Sequence, residues 1–148
     1  MQSVESYYHP ANIGKHSLKL TEFMAKLSDT FVKRVHKERY KKLSWGFVPS
    51  KENALSDADI TEFVKSLQQI VFHAMWSRWG VMDAGSTLAD LSTLRPELIL
   101  PTLVDRLYAA LETVTEPHKL TASLYSVLSV ARCLVQKSKF YADGQTHV

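Results

Sequence analysis

Residues 94–135 read LRPELILPTLVDRLYAALETVTEPHKLTASLYSVLSVARCLV, and this stretch decides the architecture. Pro96 lacks the amide hydrogen that a first-turn residue leaves unpaired in any case, so it opens a helix without loss. Leu103, Val104, Leu107, Leu111 and Val114 then recur at steps that gather side chains on one helical face. Pro101 removes an amide from the interior of that helix, which predicts a kink or a restart beside it. Thr115, Glu116 and Pro117 make a junction with almost no loop. In the helix that follows, Leu120, Leu124, Val127, Leu128, Ala131, Leu134 and Val135 form the expected buried face, with Ser123, Ser126, Ser129 and Arg132 elsewhere around it. Two amphipathic helices joined by a tight proline turn are the unit of a helical-repeat protein, in which antiparallel pairs pack on neighbouring pairs.

Working outward, the same periodicity predicts helices over 15–27, 30–42, 57–79, 86–94, 96–114 and 117–138. Leu20, Phe23, Met24, Leu27 and Phe31 share one face, and Ser28 with Asp29 reads as a cap between the first two helices. The second helix buries Phe31, Val32 and Val35. Gly46, Pro49, Ser50 and Asn53 mark a loop over 43–55 that carries Trp45 and Phe47. Ser56 and Asp59 then form a capping-box-like start. The helix they open is apolar on two sides, through Ile60, Phe63, Val64, Leu67, Val71 and Ala74 and through Ile70, Phe72, Met75, Trp76 and Trp79, so it needs neighbours on two sides. Gly80 and Gly85 flank an expected break. Alternation at period two is nowhere sustained, which makes the fold all-α, as stacked helical hairpins.

Composition narrows the class of function. A chain of 148 residues, 45% hydrophobic and 22% charged, has the material for one folded domain that buries roughly 70% of its unfolded surface. Its single cysteine, Cys133, excludes an internal disulfide and a multi-cysteine metal cage, and fits a reducing compartment such as nucleus or cytosol. Residues 1–10 lack a positive stretch followed by an apolar run, and no window reaches 18 uninterrupted apolar residues, so neither export nor membrane insertion is expected. Net charge is +3, a mild basic bias.

Several strings together resemble the large single-chain HEAT-repeat proteasome activators. They are Tyr8-His9-Pro10-Ala11-Asn12-Ile13-Gly14, Glu38-Arg39-Tyr40-Lys41-Lys42-Leu43-Ser44-Trp45, Arg95-Pro96-Glu97-Leu98-Ile99-Leu100-Pro101, Ala110-Leu111-Glu112-Thr113-Val114-Thr115-Glu116-Pro117-His118 and Val130-Ala131-Arg132-Cys133-Leu134-Val135. They stand in the family's order across nearly the whole chain and depart from it at Ala109 and within 48–56. The resemblance implies a HEAT-like α-solenoid segment over 1–148. It also implies membership of a dome that caps the proteasome core particle and promotes gate opening without ATP or ubiquitin. It further implies a nuclear and cytoplasmic location, and links to acetylated-histone degradation, DNA repair and spermatogenesis. The family's gate-engaging C-terminal motif and its acetyl-lysine-binding region have no counterpart here, and 145–148 read as the middle of a repeat, so no activator residue transfers to a numbered position. The expected partners are the core particle, adjoining HEAT-like repeats and, through regions absent from this chain, acetylated histones.

Among chemistry-bearing residues, Lys33, Arg34, Lys37 and Lys41, supplemented by His36, Arg39 and Lys42, make the best candidate surface. Residues 33, 37 and 41 fall at four-residue steps, so their charges line one helix face. Two readings fit. One is an anion-binding module holding a polyanion, which by the family resemblance would be an inositol phosphate. The other is a solvated face partly neutralised by Glu38. The six histidines show no pairing at metal-ligand spacing, and His73 reads as a hydrogen-bonded interior residue. Asp57, Asp59 and Glu62 fit a helix start through its dipole, and Cys133 fits packing. Trp76 and Trp79 share one helix side and suit either a partner or an adjacent repeat. With no phosphate-cradling loop, nucleophile elbow or zinc motif, neither catalysis nor a resident cofactor is expected.

Overall fold

The structure, a computed structural model, describes residues 15–40, 54–77, 80–113 and 116–135. All regular structure among them is helical: α1 (Lys15–Tyr40), α2 (Asp57–Ala74), α3 (Val81–Leu94), α4 (Pro96–Glu112) and α5 (Pro117–Val135). Residue contacts fix their directions. Thr21 lies against Gly80 and Ser28 bonds Asp90, so α1 and α3 run parallel. Tyr125 and Ser129 lie against Gly85 while Cys133 meets Thr93, so α3 and α5 also run parallel. Gln68 donates to the Leu98 carbonyl and Arg106 to that of Phe72, which makes α2 parallel to α4. Phe31 stacks on Phe63 with ring centroids 3.8 Å apart, and Arg39 pairs with Asp57, so α1 and α2 are antiparallel. Helices α1, α3 and α5 therefore form one layer and α2 and α4 a second, the two-layer stack of helical hairpins that the periodicity predicts.

The core lies between the layers. Ile60, Val64, Leu67, Val71 and Ala74 along the middle of α2's inward face, Ile70 to one side of that stripe, and Phe72 and the C-cap Met75 to the other, are all buried, as a helix with so wide an apolar surface requires. They meet Leu88, Leu91 and Leu94 of α3 and Ile99 and Leu103 of α4, each burial contributing about 1.5–3 kcal/mol. The capping box forms as expected. The Asp59 amide donates to Ser56 Oγ at 3.2 Å and the Ser56 amide to Asp59 Oδ2 at 2.9 Å.

Four expectations change. The break at Ser28 and Asp29 is absent, because α1 is one helix of 26 residues. An N-cap serine must accept from a backbone amide, whereas the Ser28 hydroxyl donates to Asp90 Oδ2 at 2.7 Å, with the Ala25 carbonyl at 3.0 Å as the alternative acceptor for its one hydrogen. Helix α3 begins at Val81 and includes Gly85, so the glycines serve close packing. A Cβ at Gly80 would sit 2.7 Å from Thr21 Oγ1, and one at Gly85 would sit 2.8 Å from Ser129 Oγ. Helix α4 passes through Pro101 without restarting. The carbonyl deprived of a donor there belongs to Glu97, and both residues are exposed, so the lost bond lies on the solvent side of the helix where it costs least.

The fourth change concerns faces. Helix α5 buries Ala122, Ser123, Ser126 and Val130; of the face expected to be buried, Val127 packs on the core and Leu120 and Ala131 are half-buried, but Leu124 and Leu128 are exposed. Helix α1 likewise buries Ser17, Thr21, Met24, Ser28 and Val35, while Phe23 and Leu27 face out. Small side chains go inward because first-layer helices approach closely, and a leucine would not fit between them. The loop over 43–55 lies outside the described residues up to 53, as does Trp79 at the expected end of α2. The expected ends at 42, 114 and 138 are likewise undescribed.

Gly80→Ala is expected to destabilise the chain by about 1–3 kcal/mol through overpacking against the buried, β-branched Thr21. Urea denaturation measures this, and Thr21→Ala in the same chain should restore part of the loss.

Candidate functional site

The basic face of α1 is the first candidate. Lys33 Nζ lies 2.6 Å from Asp29 Oδ2 and Arg34 Nε 2.8 Å from Glu38 Oε1, so two of the four proposed anion ligands already hold carboxylates. Lys37 is exposed, and Lys41 lies outside the described residues. Arg39, expected to supplement the face, turns instead to Asp57 at 2.6 Å. Because α1 is continuous, Lys19 and Lys26 fall in register with Lys33 and Lys37 along its outer side, an alignment hidden by a reading that divides the helix. Burial opposes the charge of Glu38, yet the hydrogen bonds from Arg34 and the Leu55 amide outweigh it and hold this carboxyl below its usual range.

Where α1, α2 and the α3–α4 junction meet, Asp57 Oδ1 accepts from Arg39 at 2.6 Å and from Arg95 at 3.1 Å. Arg95 is 6% exposed, and it also donates to Thr61 Oγ1 at 3.0 Å and to the Asp57 carbonyl at 3.1 Å. One carboxylate and two guanidiniums thus tie the two hairpins together. Asp57 therefore does more than complement the helix dipole, and its partner Arg95 is a residue that local patterning does not single out. The only signal for Arg95 was a cation in the single residue between two helices.

At the far end of α2, the Arg106 guanidinium stands 4.9 Å over the Phe72 ring and 4.7 Å over Trp76, and donates to the Phe72 carbonyl at 3.1 Å. Burial pulls its pKa below the ordinary arginine value. Lys119 approaches the same indole at 5.5 Å, so Trp76 packs against its own chain. His73 is exposed, which corrects the interior reading, and its Nδ1 lies 2.8 Å from the Gln69 carbonyl one helical turn back. Cys133 packs near Thr93 Oγ1 at 3.5 Å. Between α1 and α3, burial raises the pKa of Asp90 despite the Ser28 hydrogen bond, with Asp29 adding to the rise and Lys33 opposing it.

Among the described residues no group of three or more His, Cys, Asp or Glu is placed to hold a metal ion. An open groove is lined by Asp57, Ala58, Thr61, Glu62, Lys65 and Ser66, all from one face of α2, and its polar groups do not converge from different elements as a reacting centre requires. No described helix is long and apolar enough to cross a membrane. What the described side chains do is hold helices in two layers.

The sequence that folds into this two-layer stack is matched over residues 1–148 by the family described as proteasome activator complex subunit 4, mid HEAT repeats region. The chain belongs to this family. It is 43% identical over 146 residues to proteasome activator complex subunit 4 of Homo sapiens, and 42% identical over the same length to that of Xenopus laevis. Each match covers 99% of this chain and 8% of the relative. The proteasome activator subunit 4 of Arabidopsis thaliana is 28% identical over 144 residues, covering 96% of this chain. The chain therefore spans about 8% of the length of these curated relatives. Membership in a HEAT-repeat family agrees with the parallel layers of α1, α3, α5 and α2, α4.

Asp57→Ala is expected to cost about 1–2 kcal/mol, the lower range for a hydrogen bond to a charged group, since water screens a carboxylate that is 45% exposed. Asp57 and Asp90 act oppositely with pH. Asp57 has a lowered pKa, chiefly through the Arg39 hydrogen bond, so its contribution is present above the ordinary value of 3.8 and is lost on acidification. Asp90 has a raised pKa, so its contribution is present below 3.8 and is lost as pH rises. Asp90→Asn, which keeps an acceptor for Ser28, should therefore be more stable than wild type in urea at pH 7, with the gain vanishing below pH 3.8.

Proposed function

We propose that this chain works as a non-enzymatic structural segment of an ATP- and ubiquitin-independent proteasome activator that caps the core particle and promotes opening of its gate. The observation that carries this reading is the family match over the full 148 residues, on a fold whose named side chains act by packing and ion pairing. In such a protein the segment holds curvature, because each hairpin fixes the angle at which the next one stacks. Acetylated histones as substrates, DNA repair as a setting, and a nuclear and cytoplasmic location follow from the same family reading, through regions outside this chain.

The test is a chimera in which the matched 146 residues of the Homo sapiens relative are replaced by this chain. The chimera is expected to bind purified core particle and stimulate its hydrolysis of small fluorogenic peptides as the unaltered relative does. A folded chimera that neither binds nor stimulates would sink the assignment. The 148-residue chain alone is expected to leave peptidase activity unchanged, and clear stimulation by it would place activator function in this segment itself.

A further inference from the structure

Arg34, Arg39 and Arg95 each hold a carboxylate. Arg106, which is half-buried, holds none among the described residues. Its guanidinium gives one hydrogen bond, from Nη1 to the Phe72 carbonyl, and otherwise rests on the Phe72 and Trp76 rings. Ring faces steady a cation without neutralising it, and a cation drawn out of water is costly unless an anion accompanies it. Burial alone lowers the Arg106 pKa, with no neighbouring anion opposing the shift.

The surroundings are short of acceptors in the same way. The Nε1–H of Trp76, in the ring over which that guanidinium stands, is buried without a hydrogen-bond partner, although buried N–H groups are almost always paired. Lys119 of α5 approaches the same indole and is itself engaged by Glu116. One turn further along α5, on the side that carries Lys119, the Ser123 hydroxyl is also buried without a partner. Two cations face one carboxylate here, which leaves one positive charge and the indole N–H unanswered. Trp76, Arg106 and Lys119 are each half-buried, so the place stays open to solvent.

We propose that the corner between the end of α2, the middle of α4 and the start of α5 is a binding site for one carboxylate, held by Arg106 with the Trp76 Nε1–H as a further donor and Lys119 beside it. A planar carboxylate suits a guanidinium that lies on aromatic rings, because the rings occupy its faces and leave its N–H edges to bind in plane. The single excess charge matches a monoanion, whereas a phosphate dianion or a polyphosphate would exceed it. A small organic acid and the aspartate or glutamate side chain of an acidic peptide offer the same group. The site is built from side chains of this chain alone and stands whether or not the segment serves in an activator.

The experiment follows the indole N–H resonance of Trp76 by NMR in the isotope-labelled 148-residue chain, at neutral pH and constant ionic strength, with Trp76→Phe identifying it among the three tryptophans. Sodium acetate is expected to move this resonance saturably, with affinity about ten-fold above that of sodium chloride, because a carboxylate accepts from the guanidinium edge and chloride does so poorly. Arg106→Gln should abolish the movement. Arg106→Lys, which keeps the charge and loses the planar fork, should weaken acetate binding about ten-fold, and keeps the test decisive if the glutamine variant does not fold. A blocked glycyl-glutamyl-glycine peptide separates the two sources: saturation below the acetate concentration assigns the site to an acidic peptide, and a response to acetate alone assigns it to a small acid. No saturable movement overturns the proposal, as does equal movement by acetate and chloride. Tighter binding of inorganic phosphate than of acetate also overturns it, as does acetate binding unchanged in Arg106→Lys.

Discussion

The close approach of α3 to its two first-layer neighbours is the constraint on which the rest of the structure depends. Gly80 leaves no room for a Cβ against Thr21, and Gly85 leaves none against Ser129 and the Tyr125 ring. Once backbones stand that near, only small side chains fit between them, so Ser17, Thr21, Ser28, Ser123 and Ser126 go inward; the Ser123 hydroxyl finds no hydrogen-bond partner among the described residues, whereas Thr21, Ser28 and Ser126 absorb their polarity locally. Thr21 and Ser126 do so by donating to carbonyls one turn back, Ser17 and Ala122, at 2.7 and 2.9 Å. Ser28 does so by reaching Asp90 on the neighbouring helix. The large apolar residues are then displaced to the space between the layers or to the outside.

That displacement explains the division of labour among the helices. Helix α2, which carries bulky residues on two sides, fills the interlayer core and supplies more of it than any other helix. Helices α1 and α5 supply small-residue stripes and turn their larger apolar side chains elsewhere. The ends of the hairpins are fixed by charge. Arg39, Asp57 and Arg95 come from α1, the start of α2 and the residue between α3 and α4, so one ionic cluster sets the position of three segments at once. At the opposite end of α2, Arg106 lies over Phe72 and Trp76, a cation seated on aromatic faces where α2 presents its last carbonyls.

A stack built this way suits work done by shape. Each hairpin contacts its neighbours and little else, so stability and curvature are sums of local interfaces. The ionisable groups with perturbed pKa values, Asp57, Asp90 and Arg106 among them, are explained by structure: an ionic junction lowers Asp57, while burial raises Asp90 against the Ser28 hydrogen bond and lowers Arg106. The basic helix face has the same character, with Lys33 and Arg34 engaged by carboxylates one turn away.

The sequence by itself determined the helical class, the pairing of helices, the capping box at Ser56 and the two-sided burial of α2. These follow from periodicity and from groups within a few residues of each other, which any local reading contains. It also carried the strings by which the family was legible. Only the tertiary structure decided which face of α1 and α5 goes inward, that Ser28 bonds across to Asp90 and so leaves α1 unbroken, and that Gly85 sits within a helix. It alone joined Arg95 to Asp57 across 38 residues. The physical reason is common to all four. Amphipathicity says that a leucine stripe will be buried somewhere, but the distance between two backbones decides where, and that distance is set by residues far apart in the chain.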